Sequence, residues 1–122
     1  MYQGFKDLKV YQLSYKLALE IFHISKNFPK EEKYSLTDQI RRSSRSVPTN
    51  IAEAYRKRRY PKHFVSKLTD SDAECSETIV WVDFALDCGY INPKQHQFFN
   101  QKYDEVGKML GSMIQSPKKF TL

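Results

Sequence analysis

The side chains that could carry acid–base or metal chemistry are scattered along the chain. The three histidines, His23, His63 and His96, fall in three different segments. Glu20 precedes His23 by three residues, which is the spacing of a helical metal-binding pair. Di-metal sites in helical bundles use two such pairs, and the sequence contains no second one. We therefore interpret Glu20 and His23 as polar neighbours on a solvated face, and we expect neither a metal nor another cofactor.

Six carboxylates form the densest acidic cluster, between residues 70 and 87. Paired general acids and bases are one interpretation of such a cluster, and a solvated or salt-bridged helix face is the one we favour. Glu77 is distinctive because its neighbours Cys75, Ile79, Val80 and Trp81 are largely apolar. A carboxylate in these surroundings is predicted to pair with an arginine.

The two cysteines show no sign of redox or nucleophilic chemistry. Cys75 and Cys88 are thirteen positions apart, or about 20 Å along one helix, whereas a disulfide needs α-carbons within about 7 Å. The acidic neighbours Glu74 and Glu77 are expected to raise the pKa of the Cys75 thiol. The four glycines are too dispersed to form a phosphate-binding loop. The sequence therefore predicts a protein that is not an enzyme.

Four amphipathic segments must position these residues. In each segment apolar residues recur at steps of three and four, which predicts a helix with one buried face. The stripes run from Val10 to Phe28, from Leu36 to Ala54, from Phe64 to Leu86 and from Phe99 to Met113. Short connections between them predict an all-α, antiparallel up-down four-helix bundle, with residues 1–122 forming a single domain.

Local signals mark the ends of these helices. Ser35 and Asp38 stand three apart and are similar to a capping box. Gly107 and Gly111, four residues apart in the last segment, are predicted to permit close helix packing. The other signals are Asp7 as an N-cap, Pro61 in a first turn, Gly89 as a C-terminal cap, and Asn92 followed by Pro93.

The chain shows no sign of membrane insertion or export. Its apolar runs are shorter than the roughly 18 residues of a membrane span, and residues 1–7 lack the apolar segment of a signal peptide. Two reduced thiols suit the cytoplasm. We therefore expect a cytoplasmic protein without a membrane partner.

Positive charge is concentrated in one segment of the chain. Residues 41–62 carry eight basic groups and a single acid, Glu53, whereas residues 63–92 carry six acids and a single base, Lys67. A polyanionic partner would explain the first segment. Pairing between helices 2 and 3 would explain both segments, and the sequence leaves the two interpretations open.

The end of the basic segment combines cations with aromatic rings. Tyr55 and Tyr60 flank the basic run, and this combination suits phosphate contacts together with base stacking. The alternative is a solvated helix end, where cations favour the negative end of the helix dipole. The residues predicted to bind nucleic acid are Arg56, Lys57, Arg58, Arg59 and Lys62.

The middle of helix 2 carries an unusual motif. Pro48 lies in the middle of the predicted helix, where it removes an amide hydrogen and leaves the Ser44 carbonyl without its usual partner. Nearby hydroxyls or Asn50 could offset that cost. The small side chains of Ser43 and Ala52 should let another helix approach closely. Three arginines share these turns, namely Arg41, Arg42 and Arg45, and they are expected to pair with helix 3 acids or to face a ligand.

Two stretches around that motif carry a family resemblance. Gln39-Ile-Arg-Arg42 and Ser46-Val-Pro-Thr-Asn-Ile-Ala-Glu53 resemble the signature of the 23S rRNA intervening-sequence proteins. Residues 5–12, 28–36 and 77–91 are similar to other parts of that family. Ala54 stands where the family usually has glycine, and Ala73-Glu74 stands where it often has Gly-Ser.

The resemblance implies a four-helix bundle that assembles as a homopentameric ring. The family's relatives include the accessory variability determinant proteins of diversity-generating retroelements, which partner a reverse transcriptase and bind nucleic acid. The motif is then chiefly structural. The residues expected to hold the bundle and the ring are Arg41, Arg42, Arg45, Pro48, Asn50, Glu53 and Glu77. Tyr11, Tyr15, Trp81 and Phe84 are expected to lie between subunits.

These observations predict a non-enzymatic, oligomeric binding or scaffold protein. Its favoured partner is nucleic acid, structured RNA in particular and DNA as a further possibility. The alternative is an adaptor ring that binds a protein partner and makes no direct contact with nucleic acid.

Overall fold

Four α-helices and no strand make up residues 4–121, the part of the chain that the computed structural model describes. They are α1 (Lys9–Ser25), α2 (Leu36–Arg56), α3 (Pro61–Asp87) and α4 (Pro93–Gln115). Short 3₁₀ turns span Gly4–Asp7, Lys30–Glu32 and Pro117–Lys119. The predicted all-α class is confirmed. Residues 1–3 and 122 lie outside the described range, so the extent of the domain, 1–122, stays a prediction.

The helices pack in the order of the sequence. α2 packs against α1 and α3, α3 against α4, and α4 returns to α1. The diagonal pairs, α1 with α3 and α2 with α4, have no Cα atoms within 8 Å of each other in residues 4–121. Because consecutive helices are joined by short turns, neighbours run antiparallel, as expected of an up-down bundle. No described helix combines the length and the apolar character needed to cross a membrane.

The four predicted stripes meet in one core. Residues from every helix are almost completely inaccessible to solvent, and each large side chain buried in this way stabilises the fold by about 1.5–3 kcal/mol. The bulkiest of them are Leu17, Ile21, Ile40, Ile51, Phe64, Leu68, Tyr103 and Leu110. The three-and-four spacing therefore located the buried face of each helix correctly.

Helix α2 begins with a cap that the sequence motif did not predict. The Ser35 hydroxyl does not cap the helix but donates to Glu32 Oε1 at 2.6 Å, and the Leu36 amide donates to the same oxygen at 3.3 Å. Tyr90 donates its hydroxyl to Glu32 Oε2 at 2.8 Å. The 3₁₀ turn before α2 places Glu32 where its longer side chain reaches the helix start, so Asp38 is not needed. The predicted capping box is wrong.

Glu32 thereby ties two connections of the bundle together, because Tyr90 follows α3. The Ser35 and Tyr90 hydrogen bonds hold the pKa of Glu32 below its usual value. The Glu32 carboxylate in turn raises the pKa of Tyr90 to about 12, chiefly through the hydrogen bond it accepts.

At the other helix ends, some of the predicted capping residues are confirmed and others are wrong. Asn92 and Gln95 form a complete capping box at α4, and Gly89 ends α3 with a φ of +78°. At α1 the N-cap is Leu8, because Asp7 is taken up by the preceding 3₁₀ turn. The close contact expected at Gly111 is also wrong, since nothing lies within 4 Å of the position its Cβ would occupy.

Helix α2 continues through Pro48, whose side chain is buried. Polar side chains bond to backbone carbonyls around it: Ser46 Oγ donates to Arg42 O at 2.9 Å, Thr49 Oγ1 to Arg45 O at 2.8 Å, and Asn50 Nδ2 to Ser46 O at 3.0 Å. None of these three bonds goes to the Ser44 carbonyl, so they do not replace the partner that Pro48 removes.

Candidate nucleic-acid interface

Helices α2 and α3 are joined by a buried line of hydroxyl groups. The Ser43 and Thr78 hydroxyls lie 2.9 Å apart, and Ser71 Oγ donates to the Val47 carbonyl at 2.9 Å. All three hydroxyl-bearing residues are essentially inaccessible to solvent. Serine and threonine are short enough to let the two backbones approach and still satisfy their own hydrogen bonds. The small residues of the helix 2 motif therefore pack against α3.

Ion pairs flank this line at both ends. Arg42 bonds to Glu77 and lies 3.3 Å from Glu74, so the arginine expected beside Glu77 is Arg42. At the other end, Lys67 Nζ lies 2.5 Å from Glu53. The only acid of residues 41–62 thus pairs with the only base of residues 63–92.

The pKa shifts at these pairs follow from the contacts. The hydrogen bond from Lys67 to Glu53 raises the pKa of the lysine. Burial raises the pKa of Glu74, and its neighbour Glu77 adds to this against the opposing effect of Arg42. Lys67 also donates to Asn50 Oδ1 at 3.2 Å. Asn50 therefore links the helix 2 backbone to the ion pair.

The other two arginines face α1 rather than α3. Arg41 Nε donates to Ser25 Oγ at 2.8 Å, and its guanidinium carbon lies 4.8 Å from the Phe22 ring centre. Arg45 lies over the same ring at 5.7 Å. Successive helical residues point about 100° apart, so Arg41 and Arg42 turn toward different helices. Of the three arginines, Arg42 alone pairs with helix 3 acids.

The cations of the basic turn between α2 and α3 differ from those in the middle of α2 in having fewer partners. Arg56, Lys57, Arg59 and Lys62 are exposed, and none of them forms an ion pair within residues 4–121. Arg58 is the exception among the five predicted binding residues. Its guanidinium carbon stacks 3.6 Å from the Tyr55 ring centre, and Nε donates to the Tyr55 carbonyl at 3.0 Å.

An aromatic ring accompanies these cations. Tyr60 is 61% exposed at the residue that precedes α3, and its ring centre lies 6.0 Å from that of His63. An exposed ring among cations can stack on an unpaired base while the cations contact phosphates.

Three further cations are brought to the same end of the bundle. Phe120 stacks on Phe64 of α3 at 6.3 Å, which carries Lys118 and Lys119 to this end. Phe5 lies 6.5 Å from Tyr55 and brings Lys6 with it. Sequence reasoning missed these lysines as part of the surface. The predicted antiparallel order could have located them, because it places the ends of α2 and α4 beside the starts of α1 and α3.

We call this surface the basic end. Its members are exposed lysines and arginines that have no acidic partner in the described chain: Lys6, Arg56, Lys57, Arg59, Lys62, Lys118 and Lys119.

The three histidines lie on three different helices of the described bundle. His96 Nε2 lies 2.7 Å from Asp83 and so links α4 to α3, while His23 on α1 and His63 at the start of α3 are exposed. Within residues 4–121 no group of three histidine, cysteine or acidic side chains could hold a metal ion.

The cysteines are both free. Burial raises the pKa of Cys75 to about 12, with Asp72 and Asp104 adding to the effect. The direction of the predicted shift is confirmed. Its cause differs, since Glu74 and Glu77 were expected to produce it and neither does.

Comparisons with known proteins identify relatives for the fold. The model of the family described as 23S rRNA-intervening sequence protein matches residues 6–112. A crystal structure of a protein of unknown function from the S23 ribosomal protein family of Bacteroides thetaiotaomicron VPI-5482 is 30% identical and has a TM-score of 0.79. The match covers 87% of this chain and 95% of that one. No match is found among curated proteins.

Proposed function

The chain belongs to the 23S rRNA-intervening sequence protein family, and from this premise we propose that it is a non-enzymatic, oligomeric scaffold protein that binds structured RNA through the basic end. The similar Bacteroides protein of known structure is described as having unknown function. The proposal therefore rests on the charges and contacts of this chain.

The observation that carries the proposal is the set of exposed cations without acidic partners. Pairing with α3 accounts for Arg42 and for Glu53 with Lys67, but it reaches none of the cations of the basic end. Exposed like charges repel one another, so a cluster of cations that form no ion pairs favours a polyanion as its partner.

The helix dipole does not explain the cluster either. Arg56 is the last residue of α2, where a cation is stabilised by the negative end of the helix. Lys62 lies in the first turn of α3, where the dipole is positive and disfavours a cation. A phosphate group would reverse that balance, because helix starts attract anions.

We further propose the homopentameric ring that the family resemblance implies, with the protein in the cytoplasm. A ring repeats the basic end around one axis. Several weak contacts to one RNA then act together, and linked binding can raise avidity by roughly 10² or more without sequence-specific contacts. We expect little sequence discrimination, since phosphates dominate such an interface.

The proposal is tested by reversing charge at the basic end. The variant carries Arg56→Glu, Arg59→Glu and Lys62→Glu. Its matched control carries the same charge change on other faces: Lys16→Glu, Lys30→Glu and Lys94→Glu, at exposed lysines without ion pairs in the described chain. Fluorescence anisotropy measures binding to an RNA hairpin and to a DNA duplex of equal length at two salt concentrations. Light scattering verifies that both variants assemble as the wild type does.

We expect the control to retain most binding and the basic-end variant to lose it. Each phosphate contact contributes roughly 0.7–0.9 to the log–log salt slope, so three lost contacts should reduce the slope by about 2–3. If wild type binds neither nucleic acid at low salt, the proposal is wrong and the adaptor ring replaces it. If both variants bind equally well, RNA binding stands and the basic end is not its site.

A further inference from the structure

A groove between α1 and α2 exposes apolar side chains on one side of the bundle. It encloses about 530 Å³. Tyr15 and Leu19 on its rim are 50% and 47% exposed. The groove also contains Tyr11, Phe22 and Pro48. Among the described residues that line it, Arg45 alone is charged, so the polar groups that would orient a small ligand are scarce.

A second apolar surface lies on the outer side of α3. Val80 and Phe84 are one helical turn apart and are 48% and 52% exposed. Ala73 lies on the same exposed side, two turns earlier. Asp87 follows three residues after Phe84, is exposed, and has no ion pair in the described chain. We call this surface the α3 outer face.

The two surfaces complement each other in charge as well as in apolar character. Arg45 at the groove has no acidic partner within residues 4–121. A polar groove continues beyond it along α2, and both cations (Lys33, Arg41) and acids (Asp38, Glu53) line it. The charge match between the two surfaces therefore rests on Arg45 and Asp87. The α3 outer face carries the unpaired acid Asp87 and belongs to the acidic segment of the chain. An amphipathic helix with acids beside an apolar row is what such a groove fits.

The two surfaces cannot meet within one molecule. The groove belongs to α1 and α2, and in the described bundle α3 lies diagonally across from α1, with no pair of Cα atoms within 8 Å. Exposed apolar surfaces on both sides of one subunit need a partner on each side.

We propose that the groove of one copy receives the α3 outer face of a second copy, with Phe84 and Val80 beside Leu19 and Tyr15. The contact is heterologous, because the two partners use different surfaces, and it extends beyond a dimer until a ring closes. This inference deepens the proposed oligomer and rests on it.

Two variants test the pairing. Leu19→Glu disables the groove and Phe84→Glu disables the outer face, while Phe98→Glu makes the same change at another exposed ring, on α4. Sedimentation velocity measures mass at micromolar concentration, and circular dichroism verifies folding. Serine at the same positions replaces glutamate if either variant loses helix content.

We expect wild type and Phe98→Glu to exceed a dimer. Each of the other variants alone should sediment as a 14.4 kDa monomer. An equal mixture of the two should form a dimer and nothing larger, because one intact groove and one intact face remain.

A monomeric wild type would overturn the oligomer and the pairing together. Variants that keep the wild-type mass would overturn the pairing alone, as would a mixture that stays monomeric. RNA affinity plays no part in these measurements, so a failure here is separate from a failure of the basic end.

Discussion

Replacing Glu32 with glutamine removes the charge that caps α2 and links it to the turn after α3. The carboxylate accepts hydrogen bonds from the Ser35 hydroxyl, the Leu36 amide and the Tyr90 hydroxyl, at 2.6, 3.3 and 2.8 Å. Hydrogen bonds to a charged group contribute roughly 1.5–3 kcal/mol each when well shielded. Glu32 is half-buried, and glutamine keeps one acceptor oxygen. We therefore expect Glu32→Gln to lower the free energy of unfolding by about 1–2 kcal/mol.

Thermal and urea unfolding monitored by circular dichroism measure this loss. For a chain of this size 1 kcal/mol corresponds to roughly 4 °C in Tm. Glu31→Gln is the matched control, because Glu31 is the exposed neighbour in the same turn, and we expect it to stay within about 0.5 kcal/mol of wild type. The double variant with Tyr90→Phe should lose less than the sum of the single losses, since the two groups share one bond.

The same variant makes a prediction about pH. The folded pKa of Glu32 lies below its ordinary value of 4.5, so the unfolded chain binds more protons between the two values and stability rises with pH there. The gap between wild type and Glu32→Gln should be full above pH 4.5 and shrink as pH falls through the folded pKa. Equal stabilities of Glu32→Gln and Glu31→Gln at neutral pH, or a gap that widens in acid, would refute the capping role.

Two other predictions concern the cysteines and the glycines. Cys88 is exposed, whereas Cys75 is buried with its pKa raised to about 12. A thiol reagent should therefore label one cysteine per native chain and both cysteines after denaturation. Labelling of both cysteines in the native protein would contradict a closed core. Gly89→Ala should lower the free energy of unfolding by about 1 kcal/mol, because the backbone φ there is +78°. Gly111→Ala lies in a helix with open space around the new methyl group, so it should leave that free energy unchanged or raise it by up to about 1 kcal/mol. Chemical denaturation measures both changes and shows whether they differ in sign.

Much of the fold could be read from the sequence because helices depend on local spacing. The steps of three and four placed Val47 and Leu68 in the core, and Asn92 with Pro93 marked the start of α4. Capping was less predictable. Ser35 stands at the N-cap position and has a suitable residue type, yet the Glu32 carboxylate accepts the hydrogen bond from the first helical amide. The preceding turn brings this longer side chain to the start of the helix.

Amino-acid type and spacing by themselves determined that the chain forms four amphipathic helices, that Pro48 falls in the middle of one of them among small residues, and that one segment is strongly basic. Tertiary structure alone decided which charges are neutralised. Arg42 turns toward α3 and is paired, Arg41 turns toward α1 and stacks on a ring, and Lys118 joins the basic end from the far end of the chain. A sequence gives the net charge of each segment. Whether a given charge is paired depends on distances of a few ångströms between side chains on different helices, and only the packing of the helices sets those distances.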